Sequence, residues 1–137
     1  MSSIYTGGCL CGDIRYSAEV NDSVMSGHCQ CKDCQRSTGS ARSTFCLFPE
    51  QQFALTQGKL SSYTVTAKSG KTVTRQFCGN CGSPILSGGE GMPGMALVKA
   101  GSFDDSSWIK PSMLFWQSTA PAWGEVGDDV ACMETNP

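Results

Sequence analysis

Nine cysteines fall in this 137-residue chain, and seven of them stand in three tight groups: Cys9 with Cys11, then Cys29, Cys31 and Cys34, then Cys78 with Cys81. Cysteines one or two residues apart let a short turn converge several sulfurs on one ion, which is the spacing of metal ligands. Disulfides account for less. The total is odd, the spacings are tight rather than dispersed, and a chain expected in a reducing compartment does not keep disulfides. Zinc is the ion these thiolates suit, being soft enough for sulfur and needing no redox partner; an iron-sulfur cluster is the alternative.

Seven ligands do not make two closed tetrahedra. The middle triplet can wrap one ion with a single turn of backbone and forms a local tripod. The two outer pairs, far apart in sequence, are then left to share a second ion as a four-cysteine site that ties the amino-terminal segment to a CGNCG knuckle. Gly79 and Gly82 suit that knuckle because glycine reaches positive φ and lets amide groups approach sulfur. A closed four-cysteine zinc is structural and contributes folding free energy on the order of 10 kcal/mol. Three cysteines read as an open site whose fourth position takes water or substrate. The competing reading is that His28 or Cys46 closes it, and His28 is disfavoured because neighbours in an extended chain point to opposite sides. An open zinc held by thiolates can polarise a carbonyl or bind an incoming thiol as its thiolate, which is carbon-sulfur bond chemistry. Two zinc ions per chain are therefore expected.

These ligands need a scaffold, and the composition suggests what it is. Sixteen glycines and six prolines punctuate short runs rich in Val, Thr, Phe and Tyr, the pattern of a mainly β domain with many turns. Strands are expected over 13–20, 42–48, 53–57, 60–65, 72–77, 95–100 and 113–117. A short helix is expected over 32–38, stopped by Gly39, and another helical turn over 102–105. Residues 87–94 read as flexible, and 124–137 as an acidic, loosely held tail. The length fits one domain spanning 1–137. A formal net charge of -2, with 10 basic and 12 acidic residues interspersed, offers no basic stripe for a phosphate backbone, so nucleic acid is not an expected partner. No apolar run approaches a membrane span, and MSSIYTGG lacks the pattern of a signal peptide, so the expected location is cytoplasmic, without a membrane partner.

The segments GGCLCGDIRY, HCQCKDC with Thr38 and Gly39 after it, RQFCGNCGSPI, and the late Trp116 and Trp123 resemble the glutathione-dependent formaldehyde-activating enzyme family, which also includes proteins similar to centromere protein V. The resemblance runs over about 7–123. It implies an Mss4-like fold in which β-sheets fold over like a tent (a β-tent) around zinc-binding cysteine knuckles. It also implies that Cys9, Cys11, Cys78 and Cys81 hold a structural zinc, and Cys29, Cys31 and Cys34 a catalytic one. The implied activity is that of a carbon-sulfur lyase joining formaldehyde to glutathione as S-hydroxymethylglutathione. A small thiol such as glutathione and a small carbonyl compound would be its partners.

The remaining candidates carry plainer readings. Cys46, in STFCLF, fits a buried core position, and Cys132 a free thiol. The position of Cys132 resembles that of a methionine sulfoxide reductase B cysteine, but ACMETN lacks the arginine expected two residues earlier. His28 is a candidate catalytic base or orienting group, with packing as its alternative. Lys32, Arg36 and Arg42 are the cations nearest the tripod in sequence, and solvated surface charge explains them equally well. Phe45, Phe48, Phe77, Phe115, Trp116 and Trp123 read as core or pocket wall. Against the enzyme stands a non-catalytic Mss4-like zinc module that binds a protein partner. A domain that stores or senses zinc is the third reading.

Overall fold

In a computed structural model, which describes residues 2–136, the chain is mainly β. Strands β1 (Ser3–Gly8), β2 (Arg15–Val20) and β5 (Phe53–Gln57) form a three-stranded antiparallel sheet in the order β1-β2-β5. The second sheet has eight strands in the order β11-β10-β3-β4-β9-β8-β7-β6. These are β3 (Met25–Cys29), β4 (Ser43–Pro49), β6 (Leu60–Thr66), β7 (Thr72–Cys78), β8 (Pro84–Gly89), β9 (Met95–Lys99), β10 (Met113–Phe115) and β11 (Ala131–Cys132). All its pairings are antiparallel except those of β10 with β3 and with β11.

Strand alternation divides the large sheet into two faces. One face carries Cys46, Phe48, Val98 and Leu86, which pack with Ile14, Tyr16 and Ala18 of the small sheet into a single hydrophobic cluster. Its centre is aromatic: Tyr16 lies 4.9 Å from Phe53 and 5.4 Å from Phe103 by ring centroid. The buried Tyr16 hydroxyl is satisfied by Ser102 Oγ at 2.6 Å. Gly7 lets the first strand approach this point, because a Cβ there would stand 2.4 Å from both the Tyr16 hydroxyl and the Ser102 carbonyl oxygen. The opposite face carries Cys29, Ser43, Phe45, Lys99, Ser87 and Arg75.

Several sequence expectations hold. The helix α1 (Lys32–Thr38) has Cys31 at its N-cap, with Cys31 Sγ accepting from Cys34 N, and a left-handed Gly39 at its C-cap. Cys46 is fully buried in the core. Others are corrected. Residues 87–89 belong to β8, whose centre is buried between β7 and β9. The helical turn lies at Ala100–Ser102 rather than 102–105. The tail is held by backbone bonds: β11 pairs with β10, Met133 N donates to Leu114 O at 2.8 Å, and Gln117 N donates to Met133 O at 2.9 Å. Trp123 is 71% exposed and is no part of the core. No described helix is long and apolar enough to cross a membrane.

Candidate metal centres

Two turns far apart in sequence build the first centre. Cys9 and Cys11 occupy the turn between β1 and β2, where Cys9 N donates to Ile14 O at 3.1 Å. Cys78 ends β7 and Cys81 lies in the turn to β8, closed by Gly82 N donating to Cys78 O at 2.8 Å. Gly82 has φ 79°, so the turn needs glycine there, while Gly79 packs closely on Ser61, whose Oγ would stand 2.5 Å from a Cβ and would have to rotate aside. The four sulfurs all lie within 4.8 Å of one another. A zinc tetrahedron with bonds near 2.3 Å has sulfur-sulfur edges of about 3.8 Å, and the Cys9–Cys11 and Cys11–Cys78 sulfur separations are 3.6 and 3.8 Å. Amide donors already point at the sulfurs, Ile14 N to Cys9 Sγ at 3.2 Å and Cys81 N to Cys78 Sγ at 3.5 Å. The Ser83 hydroxyl and amide lower the Cys81 pKa to about 5. The donor set fits zinc.

The second centre is local. Cys29 ends β3, Cys31 caps α1 and Cys34 lies one turn into the helix, so the strand-to-helix junction alone brings the three sulfurs within 4.8 Å of one another. No fourth His, Cys, Asp or Glu donor among the described residues joins them. Crowding splits their acidities. Hydrogen bonds to Cys31 and Cys34, then burial, push the Cys29 thiol far up, whereas hydrogen bonds from Cys29 and Cys31 pull Cys34 far down, helped by the charges of Lys99 and Arg75. Three thiols this close ionise together only when a cation shares their charge, and a divalent soft ion meets that need.

His28 is placed apart from the cluster. Alternation along β3 turns it away from Cys29, and its Nδ1 shares a 2.7 Å hydrogen bond with Thr44 Oγ1. Burial and then the charge of Arg42 hold its pKa below the ordinary value. Cys46 is likewise elsewhere, its sulfur 3.3 Å from Ser26 Oγ. Neither closes the tripod. Of the nearby cations, Lys32 and Arg36 are exposed, and Arg42 donates to the Gly124 and Glu125 carbonyls at 2.6 and 3.1 Å.

Sequence reasoning did not find the cations that do face the cluster. Arg75 Nη2 approaches Cys34 Sγ at 4.0 Å from β7. Lys99, from β9, is partly buried and donates to Ser43 Oγ at 2.8 Å and Ser87 Oγ at 3.4 Å. Burial lowers its pKa, and the Cys34 sulfur works in the opposite direction. Ser43 stands directly opposite Cys29, and Ser87 directly opposite Arg75. A polar row thus crosses five strands and ends at the tripod. The one available signal was a lysine inside the apolar run MALVKA. A cleft of about 590 Å³ is lined by Ser43 and Lys99 of this row together with Thr38, Thr44, Cys9 and Ser83, and by none of the three tripod cysteines.

Behind the tripod, the buried Gln30 fixes the chain that follows β10. Its side-chain amide donates to Gly124 O at 2.8 Å, and its backbone carbonyl oxygen accepts from Thr119 Oγ1 at 2.8 Å and Gln35 Nε2 at 2.9 Å.

Residues 4–119 match the family model described as glutathione-dependent formaldehyde-activating enzyme. The chain belongs to this family. The match embraces all seven clustered cysteines. A crystal structure of a Rhodobacter sphaeroides protein is similar in fold, with a TM-score of 0.60 and 18% identity over 77% of this chain and 91% of that one. A search of curated proteins finds no match. The folded-over sheets and paired cysteine turns agree with the Mss4-like architecture that the family resemblance implied.

Proposed function

We propose that the protein is a zinc-dependent enzyme of carbon-sulfur bond chemistry, adding glutathione or another small thiol to formaldehyde or a related carbonyl compound. The observation that carries this reading is the three-sulfur cluster without a fourth protein donor among the described residues, in a chain whose other four clustered cysteines bring four sulfurs within 4.8 Å of one another. Family membership supplies the substrates of the proposal. Cys9, Cys11, Cys78 and Cys81 hold the structural ion, and Cys29, Cys31 and Cys34 the reactive one.

A zinc bound at the tripod would supply Lewis acidity, stabilising a thiolate or polarising a carbonyl oxygen at neutral pH. The chain's own residues shape the surroundings. The rings of Phe45 and Phe115, on the face of Cys29, stack with centroids 6.3 Å apart and wall one side of the cluster with apolar surface. Ser43 and Ser87 fix the Lys99 ammonium beside it. His28, hydrogen-bonded to Thr44, stands on the sheet face turned away from Cys29.

Glutathione and formaldehyde combine without a catalyst, so the test must be a rate. Exchange-resolved NMR of S-hydroxymethylglutathione formation should show acceleration by the zinc-loaded protein and none by a Cys31→Ser, Cys34→Ser variant. Equal rates for protein, variant and buffer would refute this chemistry and leave the non-catalytic zinc module as the better reading.

A further inference from the structure

We propose that Arg75 and Lys99, with Ser43 and Ser87, form an anion-accepting subsite that makes the three-cysteine centre take its small external ligand as a monoanion, a thiolate in the reaction. This rests on the open-centre reading and specifies what the open position prefers.

Charge is the first ground. Among the described residues the one ion pair joins Arg15 to Asp104, so neither Arg75 nor Lys99 has a carboxylate within salt-bridge distance. A partly buried cation without a counter-ion is costly, and hydroxyl groups such as those of Ser43 and Ser87 orient an ammonium without neutralising it. The nearest anionic groups are the sulfurs of the cluster. Three thiolates and a divalent cation leave one net negative charge, while Arg75 and Lys99 bring two positive ones. The assembly is balanced by one further bound anion.

Geometry is the second. The two cations come from β7 and β9, which flank β8, where Ser87 accepts from Lys99 and stands opposite Arg75 in register. Each is therefore placed by sheet register rather than by a mobile loop, and both lie on the face of Cys29. A thiol that binds here gives its proton to solvent and presents a negative sulfur to two fixed positive groups. A neutral ligand gains nothing from them. Because the interaction lies in partly buried surroundings, it is screened less than a surface pair.

The test uses the full chain loaded with cobalt as a spectroscopic probe of the tripod. It is titrated with thiocyanate, 2-mercaptoethanol and the neutral ligand imidazole while visible absorption is followed. Lys99→Met and Arg75→Leu should each weaken thiocyanate and 2-mercaptoethanol by about tenfold or more and leave imidazole within about twofold. Lys99→Arg, which keeps the charge, should recover most of the loss. Because Arg75 touches Cys34, the Lys99 pair of variants decides if Arg75→Leu loses cobalt. Parallel loss of anion and imidazole affinity, or no loss of either, overturns the subsite. If the wild-type spectrum ignores all three probes, the open centre itself fails. Thiol binding that persists while the Lys99 variants discriminate nothing overturns only the subsite.

Discussion

The two cysteine centres of this protein solve opposite problems. The four-cysteine set draws its ligands from turns separated by 67 residues between Cys11 and Cys78, and what surrounds the sulfurs is backbone amide and serine hydroxyl. The three-cysteine set comes from one strand-to-helix junction, and what surrounds it is charge: Arg75 at 4.0 Å from Cys34 and Lys99 behind Ser43. A ligand set that joins distant segments stabilises a fold, because its assembly requires both segments in place. A set that one turn can assemble adds little to the fold and is free to leave a position open. Net charge sharpens the contrast, since amide dipoles suit a closed site and mobile-ligand chemistry calls for full cations.

The largest effect should come from the joining centre. Cys78→Ser removes a buried sulfur shared by the two turns, and loss of the ion should cost several kcal/mol, visible as a collapse of the thermal transition together with loss of zinc. Persistence of the wild-type transition would break the distinction between the centres. Next, Cys31→Ser with Cys34→Ser should abolish thiol-dependent turnover and leave the melting temperature within a few degrees, read by circular dichroism beside the activity assay. Gly82→Ala, forced into a positive φ, should cost about 1 kcal/mol, and Gly79→Ala should cost less, because the Ser61 hydroxyl its Cβ meets can rotate aside; denaturant midpoints rank them.

The smallest effect belongs to a pair outside both centres. The hydrogen bonds from Arg15 and Thr6 depress the Asp104 carboxyl to about 2. A depressed carboxyl stabilises the fold above its unfolded pKa of 3.8, and the contribution is lost as pH falls towards about 2. Asp104→Asn should therefore flatten the acid limb of stability between those values. The change will be small, because the pair is exposed to solvent. An unchanged acid limb would show that the pair does nothing for the fold.

The cysteine partition was legible because spacing and ligand count are local properties. Six of the expected strands recur with shifts of a few residues, and the 113–117 strand survives as the three residues of β10. Three of the missed strands have clear physical reasons. β1 ends in two glycines, β3 reads MSGHC with little β-branched content, and β8 ends in the glycines of SGG. Each is stabilised by its neighbours in the sheet rather than by its own propensity. β11 was hidden for another reason: two residues pair in parallel with a strand far back in the chain, which no periodicity signals. Arg75 and Lys99 escaped notice because their proximity to Cys34 depends on the order β4-β9-β8-β7, and sheet order is not written in spacing.

The two centres are expected to hold separate ions with separate duties. Elemental analysis of the purified protein should find two zinc atoms per chain, falling to one in the Cys31→Ser, Cys34→Ser variant while the β-sheet circular dichroism is kept. One zinc in the wild type, or loss of both ions and of the fold in that variant, would contradict that expectation.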